Sequence, residues 1–140
     1  NLEKKKIRFK YVCCIFATAP FINAKILKKS FNKLKNGKYD FVFSAKKIEY
    51  NNLRSFYLSK NQLKMLNEKF YSYTSQDLPK AYVDLGQFYW GTKNAWKKKK
   101  IIYTRNSSFI ELDGKKFRDI NTISDLKKAK ISRKIYSSID

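Results

Sequence analysis

The first long apolar segment of the chain is the run YVCCIFA at positions 11–17, which follows a charged stretch. A continuous run of this length is typical of a strand that is buried on both faces of a sheet. Pro20 follows and ends regular pairing, because proline has no N–H to donate. The pattern therefore predicts a fully buried strand over 11–17.

An amphipathic helix and a second strand are predicted next. Asn23 is suited to cap the helix, and Gly37 stands where helices commonly end. Between them, apolar residues recur at helical spacing: Ile26, Leu27, Phe31 and Leu34. The apolar segment YDFVFSA at 39–45 follows. Strand, helix and strand in this order predict a right-handed βαβ unit with parallel strands.

The next part of the chain changes character several times. Residues 46–82 are polar and rich in Tyr and Asn, which indicates a hairpin or an extended flap rather than core. Strands are predicted at 86–90, 101–103 and 108–112, with a short helical turn in NAWKKKK between the first two. The Asp-Gly pair at 113–114 predicts a tight turn into a short strand, KFRDI.

A last helix is predicted in NTISDLKKAK. Thr122 and Asp125 resemble a capping box in which Asp replaces the usual Glu. Leu126 and Ala129 supply an apolar face that points inward. Together the elements predict a single domain of α/β class over residues 1–140.

The formal net charge is +21, from 32 basic and 11 acidic residues. A basic surface favours polyanions because binding releases counterions from phosphates. Arginine, which clamps phosphates and guanine edges at two points, is nevertheless scarce, at 5 residues against 27 lysines scattered along the chain. We therefore expect no specific nucleic-acid partner, and keep a basic α/β module that binds polyanions or nucleic acid as the alternative function.

Two further features limit the chemistry. Cys13 and Cys14 are neighbours, and neighbours on a strand point to opposite faces, so we expect free core thiols in a reducing cytoplasm. Histidine is absent, which removes zinc sites of the usual kind and any Ser/His/Asp or Cys/His arrangement. No segment has the ~18 consecutive apolar residues of a membrane span, and we expect no membrane association.

Ligands of α/β sheets bind at the carboxyl ends of the strands, where three segments are expected to meet. They are FATAP at 16–20, FSA at 43–45 and RDINT at 118–122. FATAP has little side-chain bulk, so its backbone can approach a ligand, although an ordinary turn is an open alternative. In RDINT, Asp119 and Asn121 offer the oxygens that Mg²⁺ accepts, although Asn121 is equally suited to cap the following helix.

The segment SQDLPKAYVDLGQFYWG at 75–91 places an amide and a glycine among aromatic residues of a strand. Asp84 stands two residues before Gly86, and Gln87 follows directly. The amide of Gln87 either hydrogen-bonds to the backbone or orients a hydroxyl of a ligand. The residues alone leave both alternatives open.

These segments together resemble one family. CCIFATAPF (13–21), DFVFSA (40–45), SQDLPKAYVDLGQFYWG (75–91) and RDINTISDLKKA (118–129) are similar to consecutive blocks of pseudaminic acid cytidylyltransferase, a relative of the CMP-sialic acid synthetases. The resemblance runs from about residue 8 to residue 130, and ATAPF and GQFYWG are its most specific parts.

The resemblance implies a Rossmann-like, three-layer α/β/α nucleotidyltransferase sheet that is truncated at its N-terminus and carries a flap at 46–82. It implies transfer of a cytidylyl group from CTP to a nonulosonic acid, with Mg²⁺ as cofactor, in bacterial surface or flagellar glycan synthesis in the cytoplasm. The flap would cover the sugar and contact a second subunit, which predicts a homodimer. The implied metal ligands are Asp119 and Asn121, and the implied substrate-binding residues are Phe16, Thr18, Arg54, Gln76, Asp84 and Gln87.

The chain departs from the family pattern in several respects. The family's opening strand and its Gly/Arg/Lys-rich loop, which holds the triphosphate of CTP, have no counterpart here. Asn121 stands where a second Asp is usual, and Thr74 where Arg is usual. We therefore expect this chain alone to be inactive.

Overall fold

The structure is a computed structural model that describes residues 8–48, 52–117, 120 and 122–136. The chain forms two compact units, one of residues 47–83 and one of the segments on either side of it. The strands are β1 (Tyr11–Ile15), β2 (Phe41–Lys47), β3 (Phe56–Ser59), β4 (Gln62–Met65), β5 (Tyr82–Thr92) and β6 (Ser107–Glu111). The helices are α1 (Ala24–Asn36), α2 (Lys93–Lys97) and α3 (Ile123–Tyr136).

Four strands form one sheet in the order β1-β5-β2-β6. β1 is antiparallel to β5, and β2 is parallel to β6. The Thr92 N–H donates to the Asp40 carbonyl over 3.0 Å, and the Gln87 N–H to Ser44 Oγ over 3.1 Å, so β2 and β5 run in opposite directions. The parallel orientation predicted for β1 and β2 is confirmed, but β5 lies between them.

Helix α1 covers one face of this sheet. Asn23 caps it as predicted, since its Oδ1 accepts the Ile26 N–H over 3.0 Å. The core on this side contains Leu34, Val42, Leu85, Phe88, Ile110, Leu112 and Phe117. Leu34 and Phe88 are almost completely buried, at 1% and 0% exposure. The predicted apolar face of α1 is thus confirmed.

Gly37 ends α1 at the predicted place, but for an unexpected reason. Its φ of −81° is ordinary, and the left-handed residue is the next one, Lys38, with a φ of 53°. A Cβ on Gly37 would collide with the ring of Tyr39. The glycine is therefore required by the close approach of that ring.

The prediction that β1 is buried on both faces is wrong. Ile15 is 48% exposed and Cys14 is exposed, because β1 has only one neighbouring strand, β5, in the described part of the sheet. Both cysteines are free, as predicted, but only Cys13 is half-buried. Burial, followed by the neighbouring Cys14, raises the pKa of the Cys13 thiol to about 12.

The short strand predicted at 101–103 is wrong, and the one predicted at 116–120 lies partly outside the described residues. Residues 101–103 belong to a loop, in which Ile101 is 73% exposed, and β6 begins only at Ser107. Residues 115–117 form a turn. The Asp113 carboxylate accepts the Lys115 N–H over 2.8 Å, and the backbone carbonyl of Asp113 accepts the N–H of Phe117 over 2.9 Å. The turn predicted at the Asp-Gly pair is confirmed.

The capping box of α3 is confirmed. The Asp125 N–H donates to Thr122 Oγ1 over 3.1 Å, and the Thr122 N–H donates to the Asp125 carboxylate over 2.9 Å. Ala129 is buried at 4% exposure, whereas Leu126 is 41% exposed and was wrongly expected to face inward. The start of the helix therefore depends on polar capping more than on packing.

Replacing Thr122 by Ala is expected to lower the free energy of unfolding by about 1 kcal/mol, because α3 loses its capping oxygen. Ser124→Ala, at an exposed position of the same first turn, is the matched control and is expected to leave the stability unchanged. Urea denaturation followed by circular dichroism measures both. Equal stabilities of the two variants would contradict a capping role.

The unit of residues 47–83 contains the predicted hairpin. β3 and β4 pair antiparallel, with Ser59 opposite Gln62. The two residues of the turn, Lys60 and Asn61, have φ angles of 50° and 62°, as a type I′ turn requires. Several large apolar side chains of this unit are exposed, namely Phe56, Leu58, Leu63, Leu66 and Tyr71.

Candidate functional site

A kink at Gly86 divides β5 into two parts. Gly86 has a φ of 62°, the left-handed region in which glycine is favoured, and its N–H donates to Asp84 Oδ1 over 2.9 Å. In a regular strand, Leu85 and Phe88 would point to opposite faces, yet both pack in the core beneath α1. The kink therefore acts as a β-bulge and turns Asp84 and Tyr89 toward the same side, away from that core.

Asp84 is the centre of a hydrogen-bond network on this second face. Its Oδ2 accepts the hydroxyl of Tyr89 and, over 2.7 Å, the hydroxyl of Tyr103. Burial and the bond to Asp84 raise the pKa of Tyr89, and the bond to Asp84, followed by burial, raises the pKa of Tyr103. Both phenols are therefore neutral hydrogen-bond donors at physiological pH.

Aromatic rings surround this carboxylate. The ring of Tyr89 lies 5.6 Å from that of Phe16, edge to face, and 6.1 Å from that of Phe43, stacked. The ring of Tyr103 meets Phe43 edge to face at 5.4 Å. We call Phe16, Phe43, Asp84, Tyr89 and Tyr103 the Asp84 patch. Phe16 and Tyr103 are 44% and 64% exposed, so the patch is open to solvent.

The Asp84 patch includes residues of two segments, 16–20 and 43–45, that the sequence predicts to lie near a ligand. Phe16 directly follows the carboxyl end of β1, and Phe43 belongs to β2, which runs in the same direction. An aromatic surface with a carboxylate in it can hold a ligand that presents both apolar faces and hydrogen-bond donors. Sugars have this character, because their hydroxyl groups surround a ring with C–H faces.

Gln87 is completely buried beside the patch. Its side-chain Nε2 donates to the Leu85 carbonyl over 3.1 Å. The backbone carbonyl of Gln87 accepts the N–H of Phe16 over 3.2 Å. The backbone thus satisfies half of the amide. Gln87 Oε1 has no hydrogen-bond partner among the described residues, so contact of this oxygen with a ligand stays a prediction.

The other predicted site residues are more dispersed along the chain. Thr18 is half-buried in the turn that follows β1. Arg54 and Gln76 are exposed residues of the unit formed by 47–83. Asp119 and Asn121 lie outside the described residues. The structure thus brings together Phe16, Asp84 and Gln87, and the roles of the other residues remain predictions.

The sequence patterns did not indicate Tyr89 or Tyr103 as site residues, and they included Phe43 only within the segment 43–45. An Asp two residues before a glycine within a strand is a signal for a bulge, and it could have indicated that Asp84 and Tyr89 share a face. No local signal connects Tyr103 to Asp84.

Two negative findings concern the residues that the structure describes. None of their Cys, Asp and Glu side chains form a group of three or more that could bind a metal ion. None of their helices combines the length and the apolar character that crossing a membrane requires.

No family model matches this chain. It is 42% identical to the pseudaminic acid cytidylyltransferase of Campylobacter jejuni subsp. jejuni serotype O:2. The alignment covers 135 residues, which are 96% of the chain and 58% of that protein. The enzyme of the same name from serotype O:23/36 gives the same values. A Helicobacter pylori protein named pseudaminic acid cytidylyltransferase and UDP-2,4-diacetamido-2,4,6-trideoxy-beta-L-altropyranose hydrolase is 32% identical over 109 residues, 77% of the chain and 21% of that protein.

The chain therefore spans little more than half the length of its Campylobacter relatives, at an identity that extends through nearly all of its own residues. The resemblance predicted from the sequence is confirmed: over 96% of its length this chain is homologous to the pseudaminic acid cytidylyltransferases.

Proposed function

We propose that this chain contributes the sugar-binding side of a nucleotidyltransferase, which transfers a cytidylyl group from CTP to pseudaminic acid or a related nonulosonic acid. The homology supports this proposal, and the Asp84 patch is the candidate location of the sugar site. Pseudaminic acid is a sugar acid with several hydrogen-bond donors, which suits a carboxylate within an aromatic surface.

The reaction is a phosphoryl-type transfer. The anomeric oxygen of the sugar acid attacks the α-phosphorus of CTP and gives up its proton to solvent as the new P–O bond forms. The bond between the α-phosphorus and the oxygen that bridges it to the β-phosphorus breaks, so that pyrophosphate leaves with the electron pair. Mg²⁺ supplies charge neutralisation when bound, and the resemblance assigns Asp119 and Asn121 as its ligands. Asp84 accepts a hydrogen bond from the sugar, and the rings of Phe16 and Phe43 exclude water from one side of the sugar.

A three-layer, Rossmann-like architecture belongs to the same proposal. Phe41 and Val42 are neighbours on β2 and thus point to opposite faces. Val42 packs in the core that contains Leu34 of α1, whereas Phe41 meets Trp96 of α2 edge to face at 5.1 Å. Helices on both faces of the sheet support this class of fold.

A homodimer is also part of the proposal. In the unit of residues 47–83, Phe56 is 62% exposed and Leu58 75% exposed on one side of the hairpin. Exposed apolar side chains of this size, close together, favour association, and a second copy of the chain would cover them. A cytoplasmic location is the last part of the proposal, because CTP is a nucleotide of the cytoplasm.

The sugar-binding role is tested by replacing Asp84 with Asn. We expect pseudaminic acid to bind the wild-type chain without turnover and to bind Asp84→Asn about tenfold more weakly, because hydrogen bonds to a charged group contribute about 1.5–3 kcal/mol. Asp77→Asn is the control, since Asp77 is exposed and bonds to Thr74 in the other unit. Isothermal titration calorimetry measures all three affinities.

Equal affinity of the wild type and Asp84→Asn would contradict the role of Asp84. Tight, strongly salt-dependent binding of DNA without any binding of pseudaminic acid would favour the alternative, a polyanion-binding module.

A further inference from the structure

The two tyrosines that donate to Asp84 differ in their surroundings. Tyr89 belongs to β5, and its ring packs between those of Phe16 and Phe43. Tyr103 belongs to the loop between α2 and β6, is 64% exposed, and touches one ring edge-on, that of Phe43. Tyr89 is therefore a fixed donor, whereas the Tyr103 hydroxyl can leave Asp84 at little cost in packing.

The carboxylate of Asp84 has room for only one more donor while both tyrosines are bound. A carboxylate offers about four lone-pair positions. Among the described residues, the Gly86 N–H occupies one on Oδ1, and the hydroxyls of Tyr89 and Tyr103 occupy two on Oδ2. The position taken by Tyr103 faces solvent, since it is the one occupied by the exposed residue.

We propose that the hydroxyl of Tyr103 is an exchangeable donor, and that a hydroxyl or acylamino N–H of the bound sugar replaces it on Asp84 Oδ2. The freed hydroxyl bonds to water, and the Tyr103 ring stays beside the ligand as a wall. Tyr103 thereby favours ligands that carry a hydrogen-bond donor at this point, because only such a donor replaces the bond that Asp84 loses when the Tyr103 hydroxyl leaves. This inference rests on the proposed sugar-binding role of the Asp84 patch.

The loop that carries Tyr103 is suited to such an exchange. Lys100 Nζ lies 2.6 Å from Asp40 Oδ2, and the Ser107 N–H donates to the Thr104 carbonyl over 3.1 Å. These contacts hold the loop on both sides of Tyr103. The side chain can therefore change partners while the backbone keeps its position.

The test is Tyr103→Phe, which keeps the ring and removes only the hydroxyl. If the ligand takes the Oδ2 position of that hydroxyl rather than the remaining position on Oδ1, the variant should bind pseudaminic acid about two- to tenfold more tightly, because it no longer exchanges one hydrogen bond for another. Tyr103→Ala, which also removes the wall, should bind more weakly than Tyr103→Phe. Titration calorimetry gives the affinities, and thermal unfolding shows whether each variant is folded.

A second measurement uses the wild-type chain with ¹³C-labelled tyrosine rings. Addition of pseudaminic acid should move the Tyr103 ring signal further than the Tyr89 signal, because only Tyr103 changes its partner. Signals are assigned with the two Tyr→Phe variants.

The possible failures are distinguishable. Unchanged or weaker binding by Tyr103→Phe would overturn the exchange and leave the proposed function intact. An unmoved Tyr103 signal in the saturated complex would do the same. Absence of pseudaminic acid binding in every variant and in the wild type would overturn both the exchange and the proposed function.

Discussion

Replacing Gly91 by Ala is expected to destabilise the protein by about 3 kcal/mol, the upper end of the cost of overpacking a core. Gly91 belongs to β5 and pairs with Val12 of β1. An added Cβ would lie 2.5 Å from Trp96 Nε1 and 2.7 Å from two ring carbons of Phe41. Neither ring can move freely, because Phe41 is 1% exposed and the indole N–H of Trp96 donates to the Val12 carbonyl over 3.3 Å.

Gly114→Ala is the matched control for this prediction. Its Cβ would also approach another atom to 2.5 Å, but that atom is the Cδ of Lys46, within a flexible side chain that can turn aside. We expect a loss of less than about 1 kcal/mol, as is usual for surface changes. Urea denaturation compares the two variants, and an equal loss in both would show that ring packing around Gly91 is not rigid.

Local patterns predicted the elements of this fold better than their arrangement. The cap at Asn23, the capping box at Thr122 and the apolar face of α1 depend on residues within one or two turns of each other, and all three are confirmed. The insertion of β5 between β1 and β2 depends on pairs such as Ile15 with Phe88, which are far apart in sequence. No local periodicity encodes that pairing, so a simple βαβ unit was predicted.

Burial was the property most often misjudged. The run 11–17 is apolar throughout, yet Cys14 and Ile15 are exposed because β1 lacks a second neighbouring strand in the described sheet. The composition of a strand shows which of its side chains favour burial. Their actual exposure depends on whether other strands or helices pack over them. The same reason explains Leu126, which is apolar and 41% exposed on α3.

The candidate site was predictable where the residues lie on one strand. Asp84 and Gln87 stand three positions apart in the segment that also carried the family resemblance. Tyr103 was not predictable, because residues 101–103 have the composition of a strand and the contact with Asp84 spans 19 positions. The bulge at Gly86 gives a physical reason for the arrangement of Asp84, Gly86 and Gln87: it turns Asp84 toward solvent while Gln87 stays buried.

A rise in pH above about 10 is expected to destabilise the protein through the same carboxylate–tyrosine network. The pKa values of Tyr89 and Tyr103 in the folded chain lie above the ordinary value of 10.0, because ionisation would place a negative phenolate beside Asp84 and in partly buried surroundings. Below the ordinary value both states keep their protons and the full stability is present. Above it the unfolded chain releases them first, so stability falls as pH rises toward the folded-state values.

The loss is at most about 1.4 kcal/mol per pH unit for each tyrosine, and solvent around the part-exposed rings reduces it. Urea denaturation at about pH 8 and about pH 11 measures it, with Tyr89→Phe as the test variant and Tyr71→Phe, at a position 76% exposed, as the control. Tyr89→Phe should lose less stability between the two pH values than the wild type, because phenylalanine has no proton to release, and Tyr71→Phe should behave like the wild type. The same pH-dependent loss in all three proteins would mean that other groups, such as the Cys13 thiol with its raised pKa, govern the alkaline response rather than the bond between Tyr89 and Asp84.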